Sequence, residues 1–146
     1  MNYEEFELAK SFALGTRAYV KDCIVKGDYV VLIVGGNVTM AVGYKGSIVQ
    51  IFERLWNKKI KVVKDADDPV KFIENYLMVP CTIKSVDGQV NVYVAIEKLG
   101  EIVGKNGYKA DTLREILKKR WNLEKIRFFG GKMEEAKKVV PQEMQT

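Results

Sequence analysis

Two stretches of sequence decide the fold: AVGYKGSIVQIFERLW, residues 41–56, and IVGKNGYKADTLREIL, residues 102–117. Each stretch places apolar residues before a Gly-x-x-Gly loop and an apolar-periodic helix after it. The first loop glycines, Gly43 and Gly104, are 61 residues apart, and the last loop glycines are separated by the same interval. A repeat of this kind predicts two copies of one structural unit along the chain.

The elements around each loop follow one order: helix, strand, strand, short helix, loop, helix, strand. For the first half, hydrophobic periodicity and turn residues predict a helix over 3–14, which Gly15 ends, and strands over 17–25 and 29–34. A short turn over 38–42 follows, then a helix over 47–56 capped by Ser47 and a strand over 60–63. For the second half they predict a helix over 69–77 capped by Asp68, strands over 81–86 and 90–96 around the turn Asp87-Gly88, helices over 98–103 and 108–121, and a strand over 125–129.

This order predicts an α+β protein made of two similar domains, each with a three-stranded mixed sheet and helices on one side of it. The first domain is expected to cover residues 1–66 and the second residues 67–131. The short polar linker between them predicts two units in a fixed relation. The tail, residues 132–146, loses its apolar pattern and is expected to be partly disordered.

Composition narrows the classes of function. The chain has 146 residues, a net charge of +5 and no histidine, so it lacks the commonest general base and metal ligand. The basic balance favours a polyanionic partner. No apolar run is long enough to span a membrane, and the acidic, helical start does not look like a signal peptide, so a cytoplasmic location is expected. Cys23 and Cys81 lie in apolar runs, and we expect two buried free thiols.

The Gly-x-x-Gly loops have a physical logic that suits a nucleic-acid backbone. Glycine has no β-carbon, so another polymer can approach the loop closely. The first amides of the following helix point outward, and the helix dipole adds partial positive charge. Lys45 and Lys105 supply a full positive charge inside each loop, and Val42 and Val103 can form an apolar floor for bases.

With its apolar-glycine start and flanking helices, the loop resembles that of the KH module, which clamps about four nucleotides of single-stranded RNA. The extra helix and strand ahead of each core resemble the type II arrangement of that module. Two such units with almost no linker resemble the tandem KH region of the NusA transcription factors, and a chain of this length is similar to the archaeal NusA-like family. The likeness covers roughly residues 3 to 130.

This resemblance implies a binding protein and not an enzyme. It implies single-stranded RNA as the ligand, RNA polymerase as a further partner, a role in transcription elongation, termination or antitermination, and no cofactor, metal, membrane or small-molecule substrate. The RNA-binding residues carried over from the motif are Gly43, Tyr44, Lys45, Gly46, Gly104, Lys105, Asn106 and Gly107. Tyr44 departs from the family, which more often has a small or charged residue there, and suggests stacking on a base.

Other interpretations of the same residues stay open. A ribosome-associated or RNA-processing factor could use the same fold, and a protein-interaction scaffold could carry degenerate units. Trp56 and Trp121, each at the end of a long helix, fit core packing better than stacking on bases. Two basic runs either extend a row of charges that contacts RNA phosphates, called here the phosphate track, or simply face solvent. They are Lys58, Lys59 and Lys61 in the first half and Lys118, Lys119 and Arg120 in the second. The carboxylates at 65, 67 and 68 fit a helix start better than a metal site.

Overall fold

The computed structural model describes residues 1–36 and 38–131. These residues form two compact units that divide after Asp68. Each unit has the predicted order of elements and one three-stranded mixed sheet. The expected α+β class with two such sheets is therefore confirmed. The boundaries of independently folding domains, 1–66 and 67–131, stay a prediction.

The first unit begins with a long helix and ends with an edge strand. Its elements are α1 (Tyr3–Thr16), β1 (Tyr19–Lys26), β2 (Tyr29–Gly35), α2 (Val38–Val42), α3 (Ser47–Trp56) and β3 (Lys59–Lys64). Strand β2 lies in the middle of the sheet, antiparallel to β1 and parallel to β3. A parallel pair needs a crossover connection, which α2, the loop and α3 provide.

The core of the first unit lies between the three helices and one face of the sheet. Phe12 of α1 is fully buried and packs against Phe52 and Trp56 of α3, with ring centroids 5.0 and 6.3 Å apart. Every second residue of β2, beginning with Val30, joins the same cluster. The opposite face of β2, with Val31 and Ile33, is buried as well, which explains the continuous apolar run in this strand.

The second unit repeats this arrangement with α4 (Pro69–Leu77), β4 (Cys81–Val86), β5 (Gln89–Val94), α5 (Ile96–Val103), α6 (Tyr108–Trp121) and β6 (Lys125–Gly130). Its central strand β5 is antiparallel to β4 and parallel to β6. The helices contribute buried Phe72, Leu113 and Leu117. The hydroxyl of Tyr76 in α4 donates a 2.8 Å hydrogen bond to the carbonyl of Lys109 in α6, which ties these two helices together.

The structure corrects the expected details of α1. The helix continues past Gly15 to Thr16, and Arg17 ends it in the left-handed conformation. The buried face of α1 carries Phe12 and Thr16, whereas Tyr3 and Phe6 are exposed. Asn2 caps the helix start, where its side chain accepts from the amide of Glu5 and the Glu5 side chain accepts from the amide of Asn2.

Two further local predictions were wrong. Ser47 is the first residue of α3 and not its cap, because Gly46 occupies the cap position in a left-handed conformation. Ile96 begins α5 and does not extend β5. The expected disorder of residues 132–146 lies outside the described residues.

Candidate nucleic-acid interface

The first glycine of each loop adopts a conformation that other residues rarely reach. Gly43 has φ 79° and ψ 171°, and Gly104 has φ 81° and ψ 166°. A β-carbon on Gly43 would lie 2.7 Å from Cγ1 and 2.9 Å from the amide nitrogen of Ile48. One on Gly104 would lie 2.9 Å from the ring of Tyr108. Both positions require glycine for the backbone angle and for the space that the next helix occupies.

The third residue of each loop is left-handed although it is not glycine. Lys45 has φ 52° and ψ 33°, and Asn106 has φ 58° and ψ 19°. Asparagine tolerates this conformation, whereas lysine pays about 1 kcal/mol for it. The last glycines, Gly46 and Gly107, are left-handed as well. The two loops therefore share one backbone geometry, and Lys45 corresponds in position to Asn106.

The second position of each loop carries an exposed side chain. Tyr44 is 80% exposed, and its partner in the repeat, Lys105, is also exposed. The ammonium of Lys45 lies 5.5 Å from the centroid of the Tyr44 ring, within the range of a cation–π contact. The first loop thus presents an aromatic face beside a charge, and the second presents a charge beside an amide.

Each loop closes into a single 3₁₀ turn that leads directly into the long helix. The amide of Gly46 donates to the carbonyl of Gly43 at 3.2 Å, and the amide of Gly107 donates to the carbonyl of Gly104 at 3.0 Å. The first amides of such a turn have no acceptor within it and point away from the helix. A phosphate placed against the loop would meet these amides and the positive end of the helix dipole.

The apolar residues before each loop lie beside the edge strand of the same unit. Val42 and Val103 are half-buried at the ends of α2 and α5, and these helices contact β3 and β6. In β3, the amide of Lys59 donates toward β2, so the main-chain groups of the alternate residues, beginning with Ile60, point outward from the sheet. Each unit thus has an apolar floor next to its last strand, which is an edge of the sheet.

The helix wall that faces this strand differs between the units, which sequence reasoning missed. In the first unit, Glu53 accepts a 3.0 Å hydrogen bond from the outward amide of Ile60. The residue at the same position of the second unit is Arg114, whose guanidinium lies 5.7 Å from the centroid of the Phe128 ring in β6. The 61-residue interval pairs Glu53 with Arg114, so the repeat itself carries the signal for this difference.

Comparison with known proteins finds similarity to archaeal proteins that are named for transcription termination. No family model matches the chain. The protein of Halococcus morrhuae named probable transcription termination protein NusA is 26% identical over 118 residues, covering 76% of this chain and 84% of its own length. The proteins of the same name from two Halobacterium salinarum strains are 28% identical over 130 residues, covering 84% of this chain and 93% of their own length.

The chain is thus similar to archaeal proteins named probable NusA. The expected resemblance to archaeal NusA-like proteins is therefore confirmed over most of the sequence. A solved structure, described as a crystal structure of APE1850, superposes with a TM-score of 0.69 at 23% identity, covering 88% of this chain and all of its own. This likeness shows that the same fold occurs in a protein of comparable extent.

The two tryptophans belong to the packing of their own units. Trp56 packs against the core of the first unit, with its ring centroid 5.2 Å from that of Phe52. Trp121 lies 5.5 Å from the ring of buried Phe72, and the guanidinium of Arg120 lies 4.8 Å from the Trp121 centroid. The expectation of core packing is confirmed for both rings.

The basic runs are partly engaged within their units. The ammonium of Lys58 donates to the carbonyl of Gly27 at 3.1 Å, and Lys118 pairs with Glu124 at 3.4 Å. Both lysines stay close to the strand that follows their helix. An extension of a phosphate track along these residues stays a prediction.

The cysteines are free, and burial controls their chemistry. Burial, followed by the carboxylates of Glu5 and Asp22, raises the pKa of the Cys23 thiol to about 12. Cys81 is half-buried, and burial and Glu74 also raise its pKa. Within residues 1–36 and 38–131, no group of three or more metal-binding side chains comes together. No described helix has the length and apolar character to cross a membrane.

Proposed function

We propose that this chain binds single-stranded RNA through its two Gly-x-x-Gly loops and acts in transcription as a NusA-like elongation, termination or antitermination factor. The observation that carries the proposal is the repeated loop. Both copies place glycine at a backbone angle that other residues rarely adopt, and each has one exposed lysine between its glycines, Lys45 in the first loop and Lys105 in the second. The names of the archaeal relatives supply the cellular process.

The topology supports two type II KH units as the frame of this activity. In each unit an additional helix and strand precede the core, and the central strand pairs parallel with the last strand. That arrangement makes the last strand of each unit an edge of its sheet. A single-stranded RNA can then lay its backbone on the loop and its bases between the helix pair and the strand edge, about four nucleotides to each unit.

The proposal gives each predicted residue a role. Gly43, Gly46, Gly104 and Gly107 allow the close approach of a sugar–phosphate backbone. Lys45 and Lys105 attract phosphate, Asn106 donates to phosphate or sugar, and the Tyr44 ring offers a stacking face. Bases rest on Val42 and Val103. The activity is binding without turnover, in the cytoplasm, with RNA polymerase as the proposed protein partner.

Fluorescence anisotropy with a labelled ten-nucleotide RNA of mixed sequence tests the proposal at two salt concentrations. The variants Lys45→Asp and Lys105→Asp should each weaken binding, and each lost phosphate contact should flatten the salt dependence by about 0.7 in log–log slope. Lys10→Asp in α1 and Lys84→Asp in β4 reverse the same charge at exposed positions outside the loops and serve as controls.

The outcomes separate the proposal from its alternatives. Losses confined to the loop variants support two RNA-binding units. A loss only for Lys105→Asp means that the first unit has another role. No binding by the unaltered protein at low salt contradicts the proposal and favours a protein-interaction scaffold. Co-purification with ribosomal subunits in place of RNA polymerase would favour the ribosome-associated alternative.

A further inference from the structure

A short row of side chains joins the second loop to its edge strand. The Oδ2 atom of Asp111 lies 3.7 Å from where a β-carbon on Gly107 would stand. The Oδ1 atom of the same carboxylate accepts a 2.8 Å hydrogen bond from Nη1 of Arg114. The Arg114 guanidinium in turn lies 5.7 Å from the centroid of the Phe128 ring in β6. The row therefore crosses the wall along which an RNA strand held by this loop would pass.

The guanidinium of Arg114 is held in place but keeps hydrogen-bond donors for a ligand. Arginine has five N–H donors in a planar fork. The Asp111 carboxylate takes one of them, and no other described residue accepts a hydrogen bond from Arg114. The Arg114 side chain is 40% exposed, so its remaining donors face solvent. The Asp111 carboxylate and the Phe128 ring restrict the orientation of the guanidinium plane. Less side-chain entropy is therefore lost when Arg114 binds a ligand.

The corresponding wall of the first unit has the opposite character. Gln50 stands where the second unit has Asp111, and Glu53 stands where it has Arg114. One oxygen of Glu53 is held by the amide of Ile60, so the first unit presents an anchored acceptor and not a fork of donors. The strand residue that corresponds to Phe128 is Val62, which has no aromatic face. The two loops share a backbone, but the two walls offer opposite hydrogen-bonding groups.

We propose that Arg114 makes the second unit selective for guanine, through paired hydrogen bonds from its guanidinium to the O6 and N7 atoms of the base, while Asp111 and Phe128 position it. Guanine is the base that presents two acceptors side by side on that edge, and adenine presents a donor in place of O6. The inference rests on the proposed RNA-binding function of the loops. The first unit, with Glu53 at this position, lacks the preference.

Competition binding with ten-nucleotide RNAs tests the inference. The probes differ by a single guanine or adenine at one position in an otherwise uridine background, scanned along the strand. A well-formed bidentate contact discriminates about 5- to 150-fold between bases, so a guanine probe should bind better than its adenine counterpart by a factor in this range. Replacing that guanine with 7-deazaguanine removes N7 and should abolish most of the preference. Inosine keeps O6 and N7 and should retain it.

The variant Arg114→Lys separates base reading from charge. Lysine keeps the positive charge but has no planar fork, so the preference for guanine over adenine should shrink, while affinity for the adenine probe stays close to that of the unaltered protein. Arg54→Lys in α3 makes the same exchange at an exposed arginine of the first unit and should leave the guanine preference intact. Thermal unfolding of each variant verifies that it is folded.

Three results would overturn the inference. The first is equal binding of guanine and adenine probes by the unaltered protein. The second is full retention of the guanine preference in Arg114→Lys. The third is an equal loss of affinity for all probes in Arg114→Lys. The last of these would assign Arg114 to phosphate. Each leaves RNA binding by the loops standing, because the Lys45→Asp and Lys105→Asp comparison tests that function separately. Failure of every probe to bind would reject both.

Discussion

At the scale of single residues, the first loop holds a charged side chain, that of Lys45, on a strained backbone position. Lys45 holds φ 52°, a left-handed conformation, at the position where the second unit has Asn106. Non-glycine residues in this region are costly and persist at functional sites when the surrounding structure holds them. The Lys45 ammonium faces the exposed Tyr44 ring and no described carboxylate. The strained residue is thus available to a polyanion.

Exchanging these two residues between the loops should move stability and affinity in opposite directions. Lys45→Asn should raise the free energy of unfolding by about 0.5–1 kcal/mol, because asparagine tolerates the left-handed angle, and it should weaken RNA binding. Asn106→Lys should lower stability by a similar amount and strengthen binding. Thermal unfolding and RNA anisotropy measure the two effects. A stability loss in Lys45→Asn would show that the lysine side chain contributes contacts beyond its charge.

At the scale of elements, strand β1 shows how burial sets the chemistry of a side chain. Cys23 is 1% exposed and points into the core formed with α1. The Glu5 carboxylate, which caps α1, also accepts a 2.9 Å hydrogen bond from the amide of Val25 in β1. It therefore brings negative charge toward the thiol, and burial together with this charge keeps the thiol protonated.

The raised pKa of Cys23 predicts a loss of stability at alkaline pH. In the unfolded chain the thiol ionises near pH 9.0, whereas in the folded protein its pKa is about 12. Between these values the unfolded state binds fewer protons, so the free energy of unfolding should fall by about 1.4 kcal/mol per pH unit. Urea unfolding of the unaltered protein and of Cys23→Ala, from pH 8 to 10.5, measures the difference in slope. Equal slopes would contradict the raised pKa. Cys81→Ala, at a half-buried thiol whose pKa burial also raises, should change the slope in the same direction.

At the scale of the whole molecule, two units with one backbone design carry different surfaces. Among the residues that the structure describes, most of the exposed large hydrophobic side chains belong to the first unit, among them Tyr3, Tyr44, Ile51 and Leu55. The positions of the second unit that match Ile51 and Leu55, which are Thr112 and Ile116, are buried. The two units share the loop geometry but differ in the side chains around it.

Two loops on one chain predict a dependence of affinity on RNA length. A longer RNA binds somewhat more tightly simply because it offers more positions at which one loop can bind. If both loops hold one strand, a ten-nucleotide RNA should exceed a five-nucleotide RNA in affinity by more than this factor, because the second loop then binds an RNA that is already attached. In Lys45→Asp this additional gain should disappear. Anisotropy with a series from four to twelve nucleotides measures it. A smooth increase with no step, unchanged in the variant, would indicate that the loops bind separate strands.

The sequence by itself determined the order of the elements, the two mixed sheets and the two loops. Glycine pairs, β-branched runs and helical periodicity act over a few residues, so the letters record them directly. The tertiary structure decided what depends on neighbours distant in the chain. Tyr3 and Phe6 have helical spacing yet lie exposed, because Phe12 and Thr16 form the face that meets the sheet. Arg114 of α6 meets the ring of Phe128 in β6 only in the folded unit, and no local pattern encodes that contact.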